Sequence, residues 1–207
     1  MGEVLVSLSE QAGEAGRLAS LVAKIVLEGF RAEEGWGEYL ETLPRTDHVL
    51  WWDEEELRLI EGSCVEYHVM ELKEQQDVIS AVLMRDVLTA DVLKSFPRRS
   101  EAKIQERITA ALVAVLSRSF HDEEWESVKM VPVLDMAQHC WKHNVRHETI
   151  EGDVVVVAAE DVARGEELFL DYGLEEGFFP VFGFVPGLEG GVRDALRNRD
   201  KLFFPHS

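Results

Sequence analysis

The chain has 207 residues, 46% hydrophobic and 29% charged, which supplies one sizeable core, or a core with a subdomain, and excludes a disordered segment. Forty acidic against 21 basic residues leave a formal charge of −19, a field that repels phosphate and speaks against direct nucleic-acid binding. No apolar run reaches the roughly 18 residues of a membrane span, so no membrane partner is expected; two cysteines, Cys64 and Cys140, suit a reducing, intracellular compartment.

In chain order, the start MGEVLVSLSEQ lacks the basic-then-apolar order of a signal peptide, and Val6 stands where a myristoylation pattern wants Ser or Thr. Leu18, Leu21, Val22, Ile25 and Val26 repeat at helical spacing within Glu14 to Phe30. Trp36 to Leu43 predicts a short amphipathic helix or turn that stops at Pro44. Asp53 followed by Glu56 reads as a capping box, with Gly62 as the stop. Val65 to Phe96 places Val65, Val69, Leu72, Ile79, Val82 and Leu83 largely on one side, and Ser100 can cap a helix carrying Ile104, Ile108, Leu112, Val115 and Leu116.

After Phe120 the pattern turns to short strands. Val131 to Leu134 predicts a buried strand, and Thr149-Ile150 with Val154 to Ala159 flanks a hairpin turn at Glu151-Gly152-Asp153. Arg164-Gly165 makes a further turn before a strand at Leu168 to Leu170, and the tail beyond Pro186 ends in Phe203-Phe204-Pro205. Helices first and short strands later give an α+β class.

Three segments of this second part belong together: Val131 to Cys140, with Asp135-Met136-Ala137-Gln138-His139 at its centre; Ala159 to Leu168, followed by Asp171-Tyr172-Gly173; and Phe182-Gly183-Phe184-Val185-Pro186. Their order and spacing resemble the SET domain, in the subclass of Rubisco large-subunit methyltransferase and the actin-histidine methyltransferase. Ser117-Arg118-Ser119-Phe120 is similar to that subclass's S-R-x-F segment. Gly37 to Pro44, Leu50 to Asp53 and Glu61-Gly62-Ser63 are similar to its helical insertion.

The resemblance implies S-adenosyl-L-methionine as cofactor and methyl transfer to a lysine, or a histidine, of a protein substrate, for which a basic segment suits the acidic chain. Displacement at a methyl group requires alignment and exclusion of water rather than a covalent intermediate. By the same resemblance Tyr172 is the catalytic residue that orients the reacting nitrogen, against the plainer reading of a half-wet strand-end tyrosine. Arg118 would meet the cofactor carboxylate with a forked donor, unless it only compensates a helix end. Asp135, Gln138 and His139 complete the cofactor contacts. Gln138 stands where the subclass has Asn, and a lost polar pair there costs roughly 1.5–3 kcal/mol. Phe182 and Phe184 line the acceptor channel by resemblance, and pack a core by default.

The division expected is residues 1–10 as a remnant of the N-terminal SET strand, 11–116 as helical insertion and flanking helices, 117–186 as C-terminal SET core and 187–207 as tail. The subclass's glycine-rich cofactor turn and its C-terminal substrate-binding domain have no counterpart here, and Leu174 to Gly177 replaces its Ser-Asn. A truncated sequence and a degenerate relative with an impaired pocket fit these departures equally. Two other readings compete. One is a metal site at His139, Cys140, His143 and His147, although structural zinc normally brings paired cysteines. The other is an inactive SET-like interaction module that presents its long helices, or the acidic runs Glu54 to Glu56 and Asp122 to Glu124, to a partner.

Overall fold

The computed structural model describes residues 13–31, 36–43, 46–96, 100–122, 127–173, 178–188 and 190–198. The strand remnant expected at 1–10 and the aromatic end at 203–205 lie outside them. The chain divides into two compact units, Met1–Ser117 with Gly177–Ser207, and Arg118–Glu176.

The first unit is helical. Helix α1, Gly13–Arg31, buries the face made by Val22, Ala23, Val26, Leu27 and Phe30. A short helix, α2, spans Gly37–Thr42. Asp53 caps α3, Glu54–Leu57, by a complete capping box with Glu56, so the first-turn carboxylates also meet the positive end of the helix dipole. Helix α4 spans Glu66–Val82.

The single amphipathic stretch expected from Val65 to Phe96 is interrupted. Leu83–Val87 forms a wide turn in which Leu88 N–H reaches Leu83 O at 2.7 Å. Thr89 then takes extended backbone and caps a new short helix, α5, Ala90–Leu93. Residues 83 and 87 stay buried through the bulge, so the apolar pattern alone does not betray the break. Ser100 caps α6, Glu101–Arg118, through its hydroxyl and Lys103 N–H.

Polar links, one buried and one half-buried, pin α4 to α6. Gln76 Nε2 donates to Thr109 Oγ1 at 2.8 Å, and Gln105 Nε2 donates to Ser80 Oγ at 2.7 Å. Two further helices of this unit lie among the described residues, α7 at Phe178–Phe182 and α8 at Val192–Arg197. Pro180 fits the first turn of α7 because its missing N–H falls among donors that have no partner within the helix. Val49, Trp52, Ile60, Val69, Phe179 and Val192 form one core cluster of this unit. Arg193 ion-pairs with Asp47 and Glu56 and stands over the Trp52 ring, which ties α8 to the segment around α3.

Among the described residues, the second unit holds three two-stranded pairs. Strands β1, Ser119–Asp122, and β2, Ser127–Met130, run antiparallel. Strands β4, Val145–Ile150, and β5, Asp153–Ala158, form the predicted hairpin. Glu151 and Gly152 both take positive φ, 52° and 88°, the two-residue primed turn whose twist matches the flanking strands. Strand β3, Gln138–His139, pairs in parallel with β6, Phe169–Leu170.

Val131 to Leu134 is not the strand that its β-branched residues predict. The chain bends there, with Asp135 N–H on Val131 O at 3.0 Å and a tight helical turn at Leu134–Met136. Val133 is forced to φ 77° and is 80% exposed. Leu134, Val145 and Leu170 form the small core of this unit, with Phe120, Val131, Ala137, Val154 and Tyr172 packed against it.

Candidate functional site

The bend at residues 131–137 delivers Asp135 and the β3 residues to one place. Asp135 is buried, and Arg118, the first residue of this unit, donates from Nη1 to the Asp135 carbonyl at 2.9 Å, with the carboxylate Oδ2 3.5 Å away. The guanidinium therefore braces the bend through the main chain as well as through charge. That grip is more directional than dipole compensation at a helix end requires.

From the other side, β6 carries the chain into Asp171 and Tyr172. The Tyr172 N–H donates to His139 Nδ1 at 3.3 Å, which leaves the His139 proton on Nε2. The two rings lie 5.2 Å apart, and the Trp141 ring meets His139 edge-on at 4.4 Å. The Tyr172 hydroxyl donates to the Ala137 carbonyl at 2.8 Å. Burial pushes the Tyr172 phenol above its ordinary value, with Asp135 adding to the rise and Arg118 opposing it. The hydroxyl thus stays protonated around neutrality and acts as an oriented donor rather than as a base.

Arg118, Asp135, Gln138, His139 and Tyr172 are therefore gathered in the second unit, around the bend and the β3–β6 pair. Gln138 is exposed and turns its amide back on the Met136 carbonyl at 3.3 Å. Phe182 and Phe184 belong to the helical unit. There they form an aromatic trio with Phe178, centroids 5.4 to 6.0 Å apart, and Phe184 is 38% exposed.

Of the residues of the metal reading, His139 packs against Trp141 and Tyr172, and His147 against Phe120 at 4.9 Å. Among the described residues, no three His, Cys, Asp or Glu gather as a metal would need. No helix among them is long and apolar enough to cross a membrane.

Two participants escape a reading of the sequence. One is the Ala137 carbonyl, since a backbone acceptor leaves no trace in residue type. The other is Asn144, a 3% exposed amide whose side chain grips the chain just ahead of β6. A lone Asn after a histidine carries no helical or strand period that would mark it as buried.

The SET domain family matches residues 9–173. N-lysine methyltransferase SETD6 of Homo sapiens is 25% identical over 191 residues, which cover 87% of this chain and 40% of that protein. N-lysine methyltransferase setd6 of Xenopus laevis is 25% identical over 167 residues, covering 74% of this chain and 36% of the relative. The solved structure of Rubisco LSMT bound to AdoMet superposes with a TM-score of 0.66 at 20% identity, over 90% of this chain and 45% of that one. This chain thus spans less than half the length of each of these proteins. The family's match runs through the helical stretch, the bend, the hairpin and the β3–β6 pair to Gly173, and takes in Arg118, Asp135, His139 and Tyr172: the chain belongs to the SET-domain family.

Proposed function

We propose that the chain transfers a methyl group from S-adenosylmethionine to a lysine of a protein substrate, with the reacting groups held at the Asp135–His139 bend. The observation that carries this reading is the meeting of Tyr172 with that bend, hydroxyl on the Ala137 carbonyl and amide on His139. Such a pair, a fixed phenol beside fixed carbonyls, is a polar frame for aligning a methyl group with an attacking nitrogen. The relatives named as N-lysine methyltransferases support lysine over histidine as acceptor.

The residues present fit this cofactor on one point of chemistry. Arg118 spends one nitrogen on Asp135, and among the described residues its Nε and Nη2 take no hydrogen-bond partner, which leaves a fork suited to an amino-acid carboxylate. When bound, S-adenosylmethionine supplies an electrophilic methyl group for direct displacement. Asp135 and Arg118 hold the bend, His139 fixes the main chain at Tyr172, and Tyr172 directs its hydroxyl. Gln138, with its amide turned onto Met136, contributes backbone groups to the cofactor rather than that amide in this reading. The part given to Phe182 and Phe184, lining the acceptor channel, rests on the likeness of their motif alone. Residues 11–116 serve as helical insertion and 117–186 as C-terminal SET core in this reading, and a lysine-rich, basic segment is the partner that a chain of charge −19 attracts.

A non-catalytic interaction module is favoured by one feature, the exposed Tyr67, Met70 and Val78 on α4, at 67%, 53% and 58%. Methyl transfer from labelled S-adenosylmethionine to core histones, used as a lysine-rich acceptor, separates the two. The proposal predicts turnover by the wild type and a fall in kcat of about 100-fold in Tyr172→Phe, the loss typical of one positioned donor, with cofactor affinity kept within about threefold. A folded wild type that transfers no methyl to any lysine-rich protein leaves the interaction reading.

A further inference from the structure

The β3–β6 pair that brings Tyr172 to the bend is only two residues long, Gln138 against Phe169 and His139 against Leu170. So short a parallel ladder does not fix its own register, and a slip by one residue would turn every side chain on β6 and beyond to the opposite face. Something outside the ladder must set it.

Asn144 supplies the missing constraint. Its side-chain Oδ1 accepts the Phe169 N–H at 2.8 Å and its Nδ2 donates to the Glu167 carbonyl at 2.8 Å, so one amide spans the approach to β6. Its own N–H donates to the Phe169 carbonyl at 3.3 Å, and its carbonyl accepts the Ala159 N–H at 2.8 Å. Asn144 therefore holds residues 167 to 169 on one side and the end of the β4–β5 hairpin on the other. An amide is the side chain that offers an acceptor and a donor at this spacing, and a carboxylate of the same shape offers only acceptors. Slippage of β6 would break both side-chain bonds inside a buried site, where unmade bonds are costly.

We propose that Asn144 is a positioning residue that locks the β3–β6 register and thereby aims the Tyr172 hydroxyl at the Ala137 carbonyl. The inference deepens the methyl-transfer reading above and rests on it for its effect on turnover. The bend itself is held separately, by Arg118 and by its own turns, so loss of Asn144 strikes the tyrosine and spares the Arg118 fork, the charged contact for the cofactor.

The test is Asn144→Asp in the full chain, with Asn144→Ser as the milder variant should the first not fold. The first keeps the acceptor for Phe169, loses the donor to Glu167, and sets a carboxylate near Glu166, whose Oε1 is 3.5 Å from Nδ2. Two readouts are taken: histone methylation kinetics, and titration of the Tyr172 ring by 13C NMR of tyrosine-labelled protein, assigned with Tyr172→Phe. The expected result is a ten- to hundredfold lower kcat, as for a displaced reacting group, with S-adenosylmethionine affinity within about threefold. The Tyr172 titration should also move down toward the ordinary tyrosine value, because its raised position depends on burial. A wild-type-like kcat, or a lowered kcat with the Tyr172 titration unmoved, overturns the inference. A wild type without turnover sinks the methyl-transfer reading instead, and the NMR titration still decides whether Asn144 holds the register.

Discussion

His48 has both ring nitrogens committed inside the helical unit. The Leu50 N–H donates to Nδ1 at 3.1 Å, so the proton sits on Nε2 and faces the Val181 carbonyl at 3.1 Å. Burial lowers the His48 pKa to about 4, with the charge of Lys73 working in the same direction and the Val181 bond opposing. The unfolded chain therefore binds a proton near pH 6.5 that the folded chain refuses until about pH 4. Stability is complete above 6.5 and falls as the pH drops through that window, by about 3 kcal/mol at its lower end. Urea melts at pH 7 and pH 4.5 should show this loss, and His48→Gln should remove most of the difference; an equal pH effect in the variant would assign it elsewhere. Beside it, Gly183 takes φ 78°, and an added Cβ would lie 3.0 Å from the His48 Cα. Both the left-handed backbone and the backbone contact penalise a side chain, so Gly183→Ala should cost about 2 kcal/mol or more in thermal melts.

At the scale of elements, depth decides which polar contacts matter. Gln76 and Thr109 are both buried and bonded to each other across α4 and α6. Thr109→Val strands the Gln76 amide and should cost about 1–3 kcal/mol. Asp91→Ala, which removes a well-exposed pair with Lys94, should shift stability by less than about 0.5 kcal/mol. Chemical denaturation of the two variants side by side checks the contrast. The same distinction explains what was legible in the sequence. Helices α1, α3 and α6 and the β4–β5 hairpin announce themselves because period, cap and turn residues agree: Asp53 with Glu56, Ser100, and Glu151-Gly152. The bulge after α4 keeps its apolar residues buried and so hides within a helical pattern, although Thr89 was an available cap signal. Val133 misleads because the local turn bonds of residues 131–137 hold a β-branched residue at positive φ. Motif likeness singles out Arg118, Asp135, His139 and Tyr172 one by one, yet the Tyr172 hydroxyl bond to Ala137 and the grip of Asn144 depend on chain segments 23 or more residues apart meeting in space.

At the scale of the whole molecule, we propose that the SET-family bend, Arg118 and Tyr172 form one site for a sulfonium cofactor. The charge of −19 favours a cation throughout the surrounding field, but only the site gives a defined stoichiometry. Calorimetric titration of the folded chain with S-adenosylmethionine tests this most directly. One equivalent should bind, and Arg118→Ala should weaken it by about 10- to 100-fold, the scale of a lost charge-assisted pair. No heat with a chain that melts cooperatively, or binding indifferent to Arg118, would rule out a sulfonium site at the bend.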